Sequence, residues 1–145
     1  MKVEIRLESG LPKPYAVICA AAVDDEVRRA AEFLQNGSDP VITAREDEKT
    51  AVVRPEEIFM ARVEDRKTML YFGKARAVCP KRLSELESLL GRDFLRISKF
   101  TLISLKQLKE VEPSWNGSMY AVLKNGCRDT ISRKYLPALK KYLGL

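Results

Sequence analysis

IFMARVEDRKTMLYFGKARAV, residues Ile58 to Val78, carries the pattern that governs everything on either side of it. Ile58, Met60 and Arg62 alternate with their neighbours up to Glu64, the period of two that a pleated strand imposes on its side chains. Asp65-Arg66 supplies a turn, Thr68 to Phe72 returns as a strand, Gly73-Lys74 turns again, and Ala75 to Val78 comes back. Three short strands joined by tight turns predict an antiparallel sheet.

Downstream, Pro80 and Gly91 bracket a helix whose Leu83, Leu86, Leu89 and Leu90 share a face. Proline at the start and glycine past the end is the expected punctuation of a helix. Asn116-Gly117 and Asn125-Gly126 lie nine residues apart between strand-forming residues at Val111, Met119–Leu123 and Thr130-Ile131. Asn-Gly favours the type I′ hairpin, which needs positive φ at both central residues, so a three-stranded meander is predicted. A C-terminal helix with Tyr135, Leu136, Leu139 and Leu143 on its apolar side closes the chain.

Upstream, Val3, Ile5 and Leu7 alternate with Lys2, Glu4, Arg6 and Glu8, which reads as a strand. After Gly10, Pro12 and Pro14, the apolar run Tyr15–Ala20 reads as a second. Asp24, Asp25 and Glu26 suit a helix N-terminus, Val27, Ala30, Ala31 and Leu34 form its apolar stripe, and Asn36-Gly37 ends it. The expected fold is mainly β with short helices. A strand-strand-helix unit over residues 1–40 is expected to precede a domain over residues 41–145.

Composition narrows the function. Of the 145 residues, 46% are hydrophobic, enough to bury a core, and no stretch approaches the roughly 18 to 20 apolar residues of a membrane helix. No export signal is read at the start, so the expected location is cytoplasmic. The three cysteines, Cys19, Cys79 and Cys127, are odd in number and widely spaced, so they are expected to be reduced and buried. Histidine is absent, which removes the commonest zinc ligand and general base. Phosphate-cradling glycine loops and nucleophile elbows are missing too, and Ser132 beside Arg133 has no base. The chain is expected not to be an enzyme, with no metal, cofactor or small-molecule substrate.

The net charge of +6 is uneven: residues 1–44 hold five basic against seven acidic groups, and residues 45–145 hold 21 against 13. A basic domain attached to a slightly acidic unit points to a polyanion met by the basic part. The positions that could meet it lie at turns: Asp65-Arg66-Lys67-Thr68, Arg96-Ile97-Ser98-Lys99 after the helix, and Ser132-Arg133-Lys134 before the last one. Such residues suit phosphate contact and base-edge reading, provided the fold brings them to one face.

The segment from Val41 onward resembles a LytTR-type DNA-binding domain. The likeness runs in order through Glu57–Thr68, the leucine-bearing helix, Phe94-Leu95-Arg96-Ile97-Ser98-Lys99 leading into Thr101–Leu105, Leu123-Lys124-Asn125-Gly126, and Ile131–Leu136. It implies an elongated, mostly antiparallel arrangement that offers loops, not a recognition helix, to successive major grooves at promoter direct repeats. By motif the DNA-binding residues would be Arg66, Lys67, Thr68, Ser98, Lys99, Phe100, Arg133 and Lys134, with Arg133 placed to read a base edge. Phe100 and Ser104 depart from the family pattern, where a small polar residue and an asparagine are usual. The N-terminal part does not read as a phosphoacceptor receiver. It resembles stand-alone members, so residues 1–40 are expected to serve dimerisation or partner binding, with a small membrane protein as regulator. The expectation is a sequence-specific regulator binding double-stranded DNA as a possible homodimer. The alternative is a basic interaction module for an acidic protein or an anionic membrane surface.

Overall fold

The computed structural model describes residues 1–37 and 40–145. The chain divides into two compact units, Met1–Ser38 and Asp39–Leu145.

In the first unit one helix forms, α1 (Asp25–Asn36). Asp24 caps it by accepting the Val27 amide at 2.9 Å, and Gly37, at φ 71°, closes it with its N–H on the Phe33 carbonyl. The two strands expected before it do not form: residues 2–8 and 15–20 lie outside any ladder. Alternation is necessary for a half-buried strand but cannot supply the neighbouring backbone that a ladder needs. Cys19 is accordingly exposed, against the expectation that all three thiols are buried. Cys79 is buried, and Cys127 is half-buried.

Among its described residues the second unit is two antiparallel sheets, two α-helices and three single-turn 3-10 helices. Its strands are β1 (Ile42–Glu46), β2 (Lys49–Val53), β3 (Ile58–Glu64), β4 (Lys67–Phe72), β5 (Ala75–Cys79), β6 (Phe94–Ser98), β7 (Thr101–Ser104), β8 (Leu108–Pro113), β9 (Met119–Leu123) and β10 (Arg128–Ile131). Seven of them form one sheet in the order β2-β1-β5-β4-β3-β7-β6, and the last three form the meander β10-β9-β8. The helices are α2 (Leu83–Leu90) and α3 (Leu136–Leu143).

The central strands are covered on both faces. On one, Ile58, Ala61, Leu70 and Leu102 pack with Leu83, Leu86 and Leu90 of α2. On the other, Met60, Ile97 and Ile103 pack with Leu123 and Ile131 of the meander and Leu139 of α3. A bulge between Ile58 and Met60 breaks the simple alternation, so these two residues enter different cores. This double burial is why all of β7, including Thr101 and Ser104, is inaccessible.

The meander forms as expected, but its turns differ in kind. Only the glycines have positive φ, 81° at Gly117 and 90° at Gly126, and neither asparagine does. The loops are longer than the two residues that type I′ requires: Leu123 pairs with Cys127 across Lys124-Asn125-Gly126, and Ser114 with Ser118. A glycine ending a three-residue loop in the left-handed region is the next commonest hairpin solution. The type I′ geometry appears instead at Asp65-Arg66, where φ is 48° and 65° and Glu64 faces Lys67. Among the described residues, no helix is long and apolar enough to cross a membrane.

Candidate nucleic-acid interface

Strand register decides which turns share an end of the sheet. β3 runs antiparallel to β7 with Arg62 opposite Thr101, and the Val63 amide donates to the Phe100 carbonyl at 2.9 Å. The β3–β4 turn at Asp65-Arg66 and the β6–β7 turn at Lys99-Phe100 therefore project from the same end. The β6–β7 ladder skips Ile97, whose carbonyl accepts the Ser132 amide at 2.8 Å. That bond brings the β10–α3 loop to the same place. Ser98, Lys99 and Phe100 line a shallow groove with Ser132, Lys134 and Tyr135.

Arg66, Lys67, Lys99, Phe100, Arg133 and Lys134 are exposed, and Ser98 is half-buried. Arg133 sits between two groove residues without lining the groove itself. Thr68, expected among the contact residues, does not reach the surface with them. The turn ends before Lys67, so Thr68 is the second residue of β4, opposite Cys79 and only 8% exposed. It is not surface that a duplex could touch.

Most basic residues of the unit, Lys74 among them, hold no carboxylate among the described residues, and the turn cations are of this kind. Among the described residues, Arg66, Lys67, Lys99, Arg133 and Lys134 take part in no ion pair. In the same unit Arg62, Arg76, Arg96, Lys106 and Arg128 each hold a carboxylate. Lys99 Nζ lies 5.7 Å from the Phe100 ring centre and Lys134 Nζ 5.6 Å from that of Tyr135, so both ammonium groups rest on aromatic faces.

Beneath the turns lies a polar cluster that the sequence pattern did not reveal. Glu64 Oε1 accepts from Arg62 and from the Tyr71 hydroxyl, both at 2.5 Å, while Arg76 stands 3.1 Å from Oε2. Arg62 also lies 3.6 Å from Asp129 of β10, and Thr101 donates to the same Asp129 oxygen at 2.6 Å. The cluster thus joins β3, β4, β5 and β7 of one sheet to β10 of the other. A second brace is Arg96, which grips Glu87 of α2 and donates to the Lys99 carbonyl, both at 2.7 Å. These residues position the turns; they are scattered through the sequence, and only the register assembles them.

Burial pushes the Glu64 carboxyl up, but hydrogen bonds from Tyr71 and Arg62 and the charges of Arg62 and Arg76 outweigh it and hold it below its ordinary value. Burial and the bond to Glu64 hold the Tyr71 hydroxyl above its own, so it remains a donor. A carboxyl whose folded value is depressed stabilises fully above its unfolded value and loses that contribution as pH falls through the folded one. The stability gap between the parent chain and Glu64→Gln is therefore expected to shrink as pH drops below about 4.3. Urea midpoints measured across pH 2 to 7, ~1 unit apart, would show it, and a gap that stays constant would contradict the assignment.

Arg66 adds a strain argument. A non-glycine residue in the left-handed region costs about 1 kcal/mol or more, and Arg66 sits there at φ 65°. Arg66→Gly is expected to raise stability by about 0.5–1 kcal/mol while weakening any polyanion contact made at this tip. Thermal melting and duplex titration of the one variant should therefore move in opposite directions.

The LytTr DNA-binding domain family model matches residues 48–144. The chain is 24% identical over 100 residues to the sensory transduction protein LytT of Enterococcus faecalis, covering 68% of this chain and 41% of that protein. It is 28% identical over 117 residues to the sensory transduction protein LytR of Streptococcus agalactiae, covering 71% and 42%. The chain thus spans about two fifths of these relatives' length. Among solved structures, the LytTr DNA-binding domain of a methyl-accepting/DNA response regulator from Bacillus cereus superposes with a TM-score of 0.67 at 21% identity, over 73% of this chain and 99% of that one.

Proposed function

The chain belongs to the LytTr DNA-binding domain family, and on that premise we propose that it is a sequence-specific regulator of transcription. Its Asp65-Arg66 and Lys99-Phe100 turns and its Ser132–Lys134 loop enter successive major grooves on one side of a duplex carrying direct repeats. The supporting observation is that Arg66, Lys67, Lys99, Arg133 and Lys134 stand exposed on turns that strand register and the Ser132–Ile97 backbone bond gather at one end of the sheet. Arg133, whose planar fork matches guanine O6 and N7, reads a base edge. Arg66, Lys67, Lys99 and Lys134 meet phosphates. Ser98 lies under the middle turn, where its hydroxyl accepts the Phe100 amide at 3.1 Å and shapes the loop. Phe100, 55% exposed, is placed to touch a thymine methyl.

Phosphate contacts release condensed counterions, so the logarithm of affinity falls linearly with the logarithm of salt concentration. Removing one phosphate contact lowers that slope by about 0.9 and weakens specific and random duplexes alike. Lys99→Ala is expected to behave in this way in a gel-shift titration at several salt concentrations. An unchanged slope would remove Lys99 from the interface. Equal affinity of the parent chain for promoter and random duplex would end the claim of specificity. Binding to anionic vesicles with no shift of any duplex at low salt would replace this reading with that of a membrane-surface module.

A further inference from the structure

Lys2–Glu8 is an extended segment outside any ladder, and among the described residues no backbone hydrogen bond reaches it. Among the described residues its apolar side chains find almost no cover: Val3 is 80% exposed, Ile5 83% and Leu7 95%. Lys2, Glu4, Arg6 and Glu8 occupy the other parity, and Arg6 Nε lies 3.1 Å from Glu4 Oε1, as residues two apart on one face of a strand should. A segment of this kind presents a row of unpaired N–H and C=O groups, a template for another strand.

The charges say which strand. Laid antiparallel against a second copy of itself about a two-fold axis at Ile5, Lys2 faces Glu8 and Glu4 faces Arg6. Every charged side chain then meets its opposite, while Val3 meets Leu7 and Ile5 meets Ile5 on the apolar face. Moving the register to centre on Glu4 puts Glu4 against Glu4 and Lys2 against Arg6. Centring it on Arg6 puts Arg6 against Arg6 and Glu4 against Glu8. Registers centred between residues set apolar against charged side chains, and parallel in-register pairing sets like against like. A parallel pair staggered by two residues also matches charges, but it does not close and would propagate.

We propose that the chain forms a two-fold homodimer in which Lys2–Glu8 pairs antiparallel with the same segment of a second copy, centred on Ile5. A two-stranded ribbon alone is marginal in water. The same unit also holds Tyr15, Val17, Phe33 and Leu34, each more than half exposed, and these supply further apolar surface for the second copy to bury. The proposal does not depend on DNA recognition, and its test contains no DNA.

The test is sedimentation equilibrium of the whole chain and of two single charge reversals, Glu4→Arg and Arg6→Glu, with circular dichroism to confirm that both variants fold. Each reversal places like charges opposite one another twice per dimer and is expected to raise the dimer dissociation constant about tenfold or more. An equimolar mixture of the two variants restores complementarity at every pair, so a heterodimer of near-parental affinity is expected to form. A parent chain that stays monomeric at high concentration would overturn the proposal. So would a dimer indifferent to both reversals, or weakened variants that fail to combine.

Discussion

Arg133→Ala is expected to lower affinity for a duplex selected from a random pool by about five- to a hundred-and-fiftyfold, ~1–3 kcal/mol, and to relax preference at one base pair. The loss should be much smaller on random duplex, because a bidentate contact to a base edge discriminates where a phosphate contact does not. Arg133 is exposed in a loop whose start is fixed by the bond from the Ser132 amide to the Ile97 carbonyl. It has no carboxylate partner among the described residues, so its removal should leave the fold intact. Lysine should not rescue it, since a point charge cannot reproduce the fork. Equal losses on selected and random duplex would reassign Arg133 to the phosphate backbone. A fall in melting temperature as large as that of a core variant would make it structural.

Asp129→Ala is expected to cost about 2–3 kcal/mol of stability and also to weaken DNA binding, although Asp129 lies beneath the proposed face. Thr101, 1% exposed, would lose the acceptor of its hydroxyl, and Arg62 would lose one of its two carboxylates. Leaving a buried donor without a partner costs more than the net value of the bond. Because Asp129 joins the meander to the seven-stranded sheet two residues before Ile131, the loop that follows should lose its fixed position. Urea unfolding gives the stability, and titration below the onset of unfolding gives the binding. Asp129→Asn should recover part of both, as an amide oxygen can still accept from Thr101. Full stability with normal binding in Asp129→Ala would show that apolar packing and the Ser132–Ile97 backbone bond hold the two sheets together without the polar cluster.

What the sequence made legible followed from local chemistry. The β3–β4–β5 run was readable because turn residues and alternation agreed, and α2 because proline, glycine and leucine spacing agreed. The Asn-Gly sites located the meander but misjudged its turns, since loop length, which they do not encode, selects the turn type. At Thr68 a shift of one residue in the strand start was enough to turn a candidate contact into a buried side chain. In residues 2–8 the strand pattern is present without the partner a strand needs. The cluster of Arg62, Glu64, Tyr71, Arg76, Thr101 and Asp129 could not be read at all. Its members are up to 67 positions apart in the sequence and meet only through the pairing of β3 with β7 and the packing of β10 on β6.

That one end of the sheet engages DNA is tested most directly by amide chemical-shift mapping of the whole chain titrated with its selected duplex. Shifts are expected at Arg66-Lys67, Ser98–Phe100 and Ser132–Lys134 together, at a single saturating stoichiometry. The Asp47-Glu48 and Gly73-Lys74 turns, which the register sets at the opposite end, should stay still even though Lys74 is as basic as any tip. Perturbation centred on those two turns, or confined to one of the three tips, would contradict the account.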